Sequence, residues 1–337
     1  MFLTSMLCLI LNRIDPCILS SSETEEWSHF NTFRERFNRS YTNIQELTER
    51  FHVFRENFRI INRHNLDYTN NFTMGINQFT DLTPDEFKSQ YVGEMERYSA
   101  GSYGCNIFKS SSATGLPDEV DWRNRNAVTS VKDQGQCGSC WTFSSTGAIE
   151  GAWAISTGKL INLSEQELVD CAKGVKYGSM GCSGGQMEGA FKYVISNGQC
   201  SDESYPYTSG VTQDSGTCHS CSSVAKITSC SDVNPSDQLS LKAAVAQQPV
   251  SVAIEADTRY FQYYSGGILT STSCGTNLDH GVLVVGYGTE KGQNYWIVKN
   301  SWGSTWGESG YIRIARSDST NDAGICGISL SPSFPIV

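Results

Sequence analysis

Hydrophobic and polar positions in the first third of the chain follow the period of a helix. Residues 27–65 predict two helices, and the second places six residues on one stripe because they recur at steps of three or four. These six are Glu46, Arg50, Phe54, Asn57, Ile61 and Asn65. An ordinary amphipathic helix explains Phe54 and Ile61 but not two asparagines on the same face. Glu46 and Arg50 are spaced for an ion pair within the helix.

Two more helices are predicted in the middle of the chain. Apolar residues recur at helical spacing over 140–156, and this pattern stops at Gly158, a residue that commonly follows a helix end. The run Ser164-Glu165-Gln166-Glu167 matches a capping box and predicts a helix that ends near Cys171.

The last third of the chain alternates short β-rich runs with glycine-rich turns. Strands are predicted at residues 250–254, 281–287, 295–299 and 311–315. Helices first and strands later predict an α+β fold with a helical half and a sheet or barrel half, with a cleft between them.

Length, charge and cysteine content narrow the class. A chain of 337 residues suggests two or three folding units, and a net charge of −10 argues against nucleic acid as a partner. Thirteen cysteines indicate an oxidising route such as secretion. The odd number leaves at least one thiol unpaired, and Cys140 is the natural candidate. No apolar run reaches the roughly 18 residues that predict a membrane span.

The N-terminus partly matches a secretion signal. Residues 2–11 form an apolar core of about ten residues, which predicts a leader over residues 1–22. No basic residue follows Met1, however, and Arg13, Asp15 and Pro16 interrupt the pattern early. A misassigned start codon is therefore the alternative.

Cys140 is the strongest candidate for chemistry, because it begins a predicted helix. A thiol attacks a carbonyl as the thiolate, and both a helix N-terminus and a nearby imidazolium lower its pKa. Only two histidines lie downstream. His219 lies in a polar loop between cysteines, whereas His280 precedes an apolar strand that would hold its ring rigidly. This comparison favours His280, and Asn300 could orient the imidazole.

The motif around Cys140 resembles that of a known family. Cys137-Gly138-Ser139-Cys140-Trp141 is the signature of papain and cathepsin cysteine proteases, which also require a histidine and an asparagine far downstream. From about Trp27 to its last residue the chain resembles a papain-family cysteine protease of the cathepsin L-like type. The resemblance implies a papain-like two-domain α+β fold, with a helical domain, a β-barrel-like domain and a cleft between them. A mainly helical propeptide would precede it, and no cofactor or metal is expected.

The resemblance also implies a role for each site residue. Cys140 would be the nucleophile, His280 its base and Asn300 the group that orients the base. Gln134 would donate its amide N–H to the oxyanion, and Trp302 would shield the Asn300–His280 bond from water. Substrate-binding positions are implied at Gly184, Gly185, Met187, Ala253, Leu278, Asp279, Trp302 and Ser331.

Four of these positions line the pocket for the second residue before the scissile bond. They are Met187, Ala253, Leu278 and, at its floor, Ser331. None carries a charge, so a bulky apolar side chain is expected to fit. Gln186 departs from the apolar or aromatic residue that is usual in relatives, and it would make the mouth of the pocket more polar.

The N-terminal region resembles the inhibitory pro-segment of cathepsin L-like zymogens. The six stripe residues match one pro-segment motif, and a second follows in Gly75, Asn77, Phe79 and Asp81. Residues 99–115 are rich in Ser, Gly, Ala and Thr, which predicts a cleavable linker. The expected domains are a leader (1–22), a propeptide with linker (23–115) and a mature peptidase (116–337). Carboxylates such as Glu46 and Asp81 are expected to have lowered pKa values when folded, so that acid loosens the segment.

The resemblance implies three disulfides: Cys137–Cys182, Cys171–Cys218 and Cys274–Cys326. Cys200, Cys221 and Cys230 remain, and we expect one further bridge among them with one thiol left over. Cys8, Cys17 and Cys105 are expected to leave with the leader and pro-segment. A zinc or redox function for the two Cys-x-x-Cys pairs is disfavoured, because no second ligand pair has zinc spacing.

Two rival functions are disfavoured. An exopeptidase needs a loop or bound mini-chain that caps the cleft, and the paired histidines of a cathepsin B-like loop are absent from the sequence. A degenerate homologue that only binds is disfavoured, because Cys140, His280, Asn300 and Gln134 are all intact. The expected partners are protein and peptide substrates and the chain's own propeptide, with the protein a monomer. The expected location is outside the cell or in a lysosome- or vacuole-like compartment.

Overall fold

The computed structural model describes residues 21–93, 95, 99–109 and 115–337. Residues 1–20, which hold nearly all of the predicted leader, lie outside this set. The described helices are α1 (Ser21–Arg36), α2 (Ile44–Leu66), α3 (Pro84–Tyr91), α4 (Cys140–Thr157), α5 (Glu165–Cys171), α6 (Met187–Asn197), α7 (Ser209–Thr212), α8 (Gln238–Val245) and α9 (Arg259–Gln262).

The strands lie mostly in the C-terminal half, as the sequence pattern predicts. They are β1 (Phe72–Met74), β2 (Asn106–Ile107), β3 (Val120–Asp121), β4 (Gln199–Cys200), β5 (Ser223–Ala225), β6 (Ser229–Asp232), β7 (Val250–Ile254), β8 (Tyr264–Leu269), β9 (His280–Glu290), β10 (Gln293–Lys299), β11 (Tyr311–Ala315) and β12 (Ser333–Ile336). The main sheet has the order β1-β8-β11-β10-β9-β7-β12-β6-β2, and β3 pairs with β9.

Two packed halves position the site. One core lies among the strands and includes Val284, Trp296 and Ile314, and another lies among α4, α5 and α6 and includes Leu168 and Phe191. Helix α4 packs against both β9 and α6, so it forms the seam between the halves. The α+β prediction is therefore confirmed, with most of the helices before most of the strands.

The stripe on α2 is a set of anchors for the second pro-segment motif. The amide of Asn57 donates to the carbonyls of Thr80 and Leu82, at 3.0 Å each. Asn65 binds both backbone groups of Met74, at 2.8 and 2.9 Å. The two asparagines therefore lie on the buried face because they hold the chain that follows α2.

The same chain segment docks on the sheet half. β1 pairs antiparallel with β8, and a side-chain carbon at Gly75 would lie 3.0 Å from the Cβ of Ser265. The Asn77 amide donates to the Gln262 carbonyl at 2.7 Å. The ring of Phe79 meets Trp302 edge-on, with 5.3 Å between centroids. The second motif therefore contributes contacts with the sheet half.

The prediction of an ion pair between Glu46 and Arg50 within α2 is wrong. Arg50 instead forms a two-pronged pair with Glu86 of α3, with both N–O distances at 2.7 Å. Glu46 accepts hydrogen bonds from the backbone N–H and hydroxyl of Thr42 at the start of α2. Unsatisfied N–H groups at a helix start attract such a carboxylate, and the forked guanidinium fits Glu86 better.

The capping box at α5 is only half formed. The Ser164 hydroxyl accepts from the Glu167 N–H at 3.0 Å, as predicted. The Glu167 carboxylate, however, accepts from the Cys200 N–H and the Tyr193 hydroxyl. It therefore fastens the neighbouring strand to the helix and does not return to the backbone of Ser164.

The structure contains the three bridges implied by the resemblance and two others. The implied bridges are Cys137–Cys182, Cys171–Cys218 and Cys274–Cys326. The others are Cys200–Cys221 and Cys105–Cys230. The expectation of a leftover thiol among Cys200, Cys221 and Cys230 is wrong, because Cys230 bonds to Cys105 of the linker. Cys140 is the free cysteine among the described residues.

The prediction that folding lowers the pKa of Asp81 is also wrong. Burial raises the pKa of Asp81, although Arg39 and the Tyr41 hydroxyl oppose this. Glu46 does have a lowered pKa, caused mainly by the hydrogen bond from the Thr42 hydroxyl. The largest lowering is at Glu86, where the hydrogen bond from Arg50 brings the pKa from 4.5 to about 2. Its stabilisation is present above about pH 4.5 and is lost as the pH falls toward 2.

We predict that Glu86→Gln lowers the free energy of unfolding of the pro-segment at pH 7 by about 1 kcal/mol, because it removes a partly exposed charge pair. The difference from the unmodified chain should shrink as the pH approaches 2. Denaturant unfolding at several pH values, in an inactive Cys140→Ser background, measures this. Glu49→Gln, at an exposed position on α2, is the matched control. Equal pH profiles for Glu86→Gln and the unmodified chain would show that this pair does not set the acid response.

Candidate active site

Cys140 occupies the first position of α4, at the seam between the halves, and is fully buried. The Cys137–Cys182 bridge and a 2.8 Å hydrogen bond from the Gly138 N–H to the Cys182 carbonyl fix the loop before it. The predicted helix start is therefore present, and the sulfur is attached where the helix dipole is positive.

His280 begins β9, and Asn300 follows β10. The His280 Nε2 atom lies 2.8 Å from Asn300 Oδ1, while His280 Nδ1 is buried with no hydrogen-bond partner among the described residues. Gly281 lies so close to α4 that a side-chain carbon there would be 3.2 Å from the Trp141 nitrogen. The structure therefore brings His280 to the start of α4, with one ring nitrogen bound and the other available.

Trp302 covers the pair formed by His280 and Asn300. Its ring stacks on the imidazole with 4.6 Å between centroids and 26° between planes. The Phe79 and Phe87 rings of the pro-segment meet the same indole edge-on, each at 5.3 Å. The indole is only 1% exposed, so water is excluded from the Asn300–His280 bond on this side.

Gln134 is held with its amide N–H aimed at the cleft. Its Oε1 atom accepts from the Ser301 hydroxyl at 2.7 Å, which fixes the amide orientation. Its Nε2 atom donates to the Cys137 carbonyl at 3.0 Å and to the Tyr91 carbonyl of the pro-segment at 3.1 Å. The expected oxyanion donor therefore already binds a carbonyl oxygen, one that belongs to the pro-segment.

The pro-segment backbone fills the cleft next to this donor. The Gly93 N–H donates to the Asp279 carbonyl at 2.9 Å. A side-chain carbon at Gly93 would lie 2.9 Å from the Gly138 carbonyl oxygen and 3.1 Å from the Gly184 Cα. Only glycine allows so close an approach between two backbones. The chain thus passes between Gly138 and Gly184, where a substrate backbone was expected.

Coverage by the pro-segment changes the charge states of Cys140 and His280. Burial raises the pKa of Cys140 to about 12, although backbone hydrogen bonds oppose the shift. Burial lowers the pKa of His280 to about 4, against the raising effect of the Asn300 hydrogen bond. Between these values both groups are neutral. The covered site therefore holds a thiol beside an imidazole, without a thiolate.

Two of the expected substrate-binding positions, Leu278 and Asp279, line a groove that the pro-segment partly occupies. Met187, Ala253 and Leu278 are buried, and Ser331 is half-buried. A 790 Å³ space runs along Val92, Gly93 and Leu278. Gly185 packs against the Trp141 ring, and Gln186 is buried just before α6. The polar pocket mouth expected from Gln186 stays a prediction.

Two carboxylates near the pocket floor were missed by the sequence reasoning. Glu188 and Asp232 line a cavity together with Ser331 and with Ser99 and Tyr103 of the linker. Burial, followed by the charge of Asp232, raises the pKa of Glu188 to about 7. Glu188 directly follows Met187 in the sequence, but no local pattern indicates that Asp232 approaches it.

The described residues contain one cluster of potential metal ligands outside the cleft, formed by Glu167, Cys200 and Cys221. The two sulfurs are bonded to each other in a disulfide. In this form they offer no thiolate to a metal ion. No described helix has both the length and the apolar character that crossing a membrane requires.

Comparison with known families matches both parts of the chain. Residues 116–336 match the papain family of cysteine proteases, and residues 30–87 match the cathepsin propeptide inhibitor domain. Probable cysteine protease RDL2 of Arabidopsis thaliana is 43% identical over 322 residues, which span 94% of this chain and 87% of the relative. Germination-specific cysteine protease 1 of the same plant is 47% identical, over 87% of this chain and 78% of the relative.

Solved structures of precursors match nearly the whole chain. A recombinant stem bromelain precursor superposes with a TM-score of 0.83 at 39% identity, covering 93% of this chain and 99% of the other. The proform of the ragweed pollen allergen Amb a 11 gives 0.82 at 39% identity, covering 95% and 98%. Since both the peptidase region and the inhibitory region match at this level, the chain belongs to the papain family of cysteine proteases and is a cysteine endopeptidase with a cathepsin propeptide inhibitor domain.

Proposed function

We propose that the enzyme hydrolyses peptide bonds through a thiolate of Cys140 and an imidazolium of His280. The observation that carries this proposal is the position of Cys140 at the start of α4, next to a histidine whose Nε2 is bound to Asn300 Oδ1 at 2.8 Å. That bond leaves Nδ1 of His280 as the nitrogen that exchanges a proton with the sulfur.

Removal of the pro-segment starts the chemistry. Water reaches the cleft, so burial no longer penalises the charged forms, and the proton moves from Cys140 to His280. The thiolate attacks the substrate carbonyl, and the Gln134 amide together with the Cys140 backbone N–H stabilises the oxyanion. The imidazolium then protonates the leaving amine. Water, activated by the neutral imidazole, hydrolyses the acyl-enzyme.

Asn300 acts by positioning the base. Its Oδ1 accepts from the imidazole Nε2–H in both charge states of the ring, and it also accepts from the Ser301 N–H at 2.8 Å. An amide is sufficient here because the reacting pair already carries one positive and one negative charge. Trp302 excludes water that would compete for this hydrogen bond.

We predict that Cys140→Ser lowers kcat by several orders of magnitude, since this imidazole cannot keep a serine hydroxyl deprotonated. His280→Ala should be comparably severe, and Asn300→Ala milder because the base remains. The measurement is kcat on a fluorogenic peptide, with the concentration of each folded variant taken from its absorbance because the Cys140→Ser enzyme has no thiol to titrate. His219→Ala is the matched control and should retain full activity. Near-normal kcat in the Cys140→Ser enzyme would refute the mechanism.

We infer that the enzyme prefers a bulky apolar residue at the second position before the cut. Met187, Ala253 and Leu278 offer an apolar wall, which gains about 25 cal/mol per Å² of apolar surface buried. Burial, followed by the charge of Asp232, raises the pKa of Glu188 to about 7, so Glu188 is neutral at acidic pH and gives a basic side chain no counter-charge. The Asp232 carboxylate is already bound by the Gly101 N–H. A buried cation without a partner is strongly disfavoured.

A peptide library cut at acidic pH should therefore favour Leu, Phe or Val over Arg or Asp at this position. Ser331→Glu should raise kcat/KM for Arg there by about tenfold, through a new ion pair at the pocket floor. Ser273→Glu, at an exposed position, is the control, and its cleavage profile should match that of the unmodified enzyme. A profile led by Arg in the unmodified enzyme would contradict this pocket assignment.

The chain is proposed to be an inactive precursor that activates by cutting within residues 99–115. The leader would comprise residues 1–22, the propeptide 23–115 and the mature enzyme 116–337. Support comes from the pro-segment backbone that fills the cleft and from the five disulfides, which suit an oxidising compartment. We propose secretion or delivery to a lysosome- or vacuole-like compartment, and action as a monomer.

A further inference from the structure

A covalent bond joins the part of the chain that is cut away to the part that becomes the enzyme. Cys105 lies in the linker, and Cys230 lies in β6 of the sheet half. The two residues are 125 positions apart in the sequence. Cutting the backbone between Cys105 and Leu116 therefore does not separate the pro-segment from the enzyme.

Non-covalent contacts hold the same linker segment on the enzyme. β2 pairs parallel with β6, with Asn106 opposite Ser231 and Ile107 opposite Asp232. The Phe108 N–H donates to the Asp232 carbonyl at 2.8 Å, and the Gly101 N–H donates to the Asp232 carboxylate at 2.6 Å. These hydrogen bonds fasten the backbone on both sides of Cys105.

Side-chain packing adds to this attachment. Cys105 is 5% exposed and belongs to the same core as Trp141 and Leu168 of the enzyme. The ring of Phe108 meets Phe334 of β12 edge-on, with 5.3 Å between centroids. The segment is thus packed as part of the enzyme, in contrast to a loose linker.

The enzyme also has a structural need for this segment. β2 is the last strand on its side of the main sheet, so its loss would turn β6 into an open edge. Open edges expose unpaired backbone groups and favour association with other chains.

We propose that the active enzyme keeps the linker peptide around Cys105 as a second chain, bound through the Cys105–Cys230 disulfide. In consequence, as long as this bridge is intact, the inhibitory domain is released only when the chain is also cut on the N-terminal side of Cys105. This inference rests on the proposed activation by cutting within residues 99–115. It specifies that the activating cut lies on the N-terminal side of Cys105.

Tethering explains why the position of the cut decides the outcome. A cut between Phe108 and Leu116 alone leaves the inhibitory domain attached through Cys105, at an effective concentration on the order of millimolar. The cleft then stays filled if the dissociation constant of the inhibitory domain is below this effective concentration. A cut before Cys105 removes the tether from the inhibitory domain but leaves the peptide on β6.

Reduction offers the other route of release. A dithiol of the medium would attack the bridge, become oxidised to its own disulfide and leave Cys105 and Cys230 each as a protonated thiol. The peptide would then be held only by the β2–β6 pairing and the Phe108 contact. The peptide is therefore expected on enzyme activated without reductant and absent after reduction and dilution.

Mass spectrometry of the activated, unmodified enzyme under non-reducing conditions is the first test. We expect a mass equal to the mature chain plus a peptide that contains Cys105, and loss of that peptide on reduction. A mature chain alone, with a free thiol at Cys230, would overturn the proposal. If the precursor does not process itself, an added protease that cuts the linker gives the same readout, so failure of self-processing remains distinguishable.

The second test examines the tether in a Cys140→Ser precursor that carries a recognition sequence for an added specific protease between residues 109 and 115. After the cut, size-exclusion chromatography without reductant should recover the inhibitory domain with the enzyme. On dilution, the variant Cys105→Ser/Cys230→Ser should lose at least tenfold more of the inhibitory domain than the precursor that keeps both cysteines. The matched control, Cys200→Ser/Cys221→Ser, removes a bridge within the enzyme and should retain the domain. Equal retention in the two double variants would show that the Cys105–Cys230 bridge does not hold the inhibitory domain.

Discussion

The structure depends on three consecutive residues of the pro-segment, 91–93, that pack in the seam between the two halves. The Tyr91 carbonyl accepts from Gln134, and the Gly93 N–H donates to the Asp279 carbonyl. These contacts exclude water from Cys140 and His280, so both groups remain neutral. The aromatic contacts on Trp302, the pairing of β1 with β8 and the anchors on α2 all keep this short stretch of backbone in place.

In the proposed mechanism, inhibition and catalysis have one physical origin, which is the cost of separating charge away from water. An ion pair buried without full hydrogen bonding is unfavourable, and the covered site offers His280 Nδ1 no partner among the described residues. The uncovered cleft provides water and, on attack, the hydrogen-bond donors of Gln134 and of the Cys140 backbone. The same arrangement of side chains is therefore inert when covered and reactive when open.

The proposed catalytic positions and both pro-segment motifs could be predicted from the sequence because each follows from a local signature or a periodic stripe. The partner of Arg50 could not, because Glu86 lies 36 residues away on another helix. Burial of Asp81 reversed the expected direction of its pKa, since desolvation depends on packing that no local pattern encodes. The Cys105–Cys230 bridge was missed for the same reason, as its residues meet only through the pairing of β2 with β6.

The central claim is that the pro-segment keeps the reactive pair neutral and that its departure creates the ion pair. The most direct measurement is the ultraviolet absorbance of the Cys140 thiolate as a function of pH, in intact precursor and in trimmed enzyme, with Cys140→Ser as the blank. The account predicts a thiolate in the trimmed enzyme at mildly acidic pH, which His280→Ala abolishes, and none in the precursor until strongly alkaline pH. The same thiolate signal in intact, folded precursor at neutral pH would contradict it.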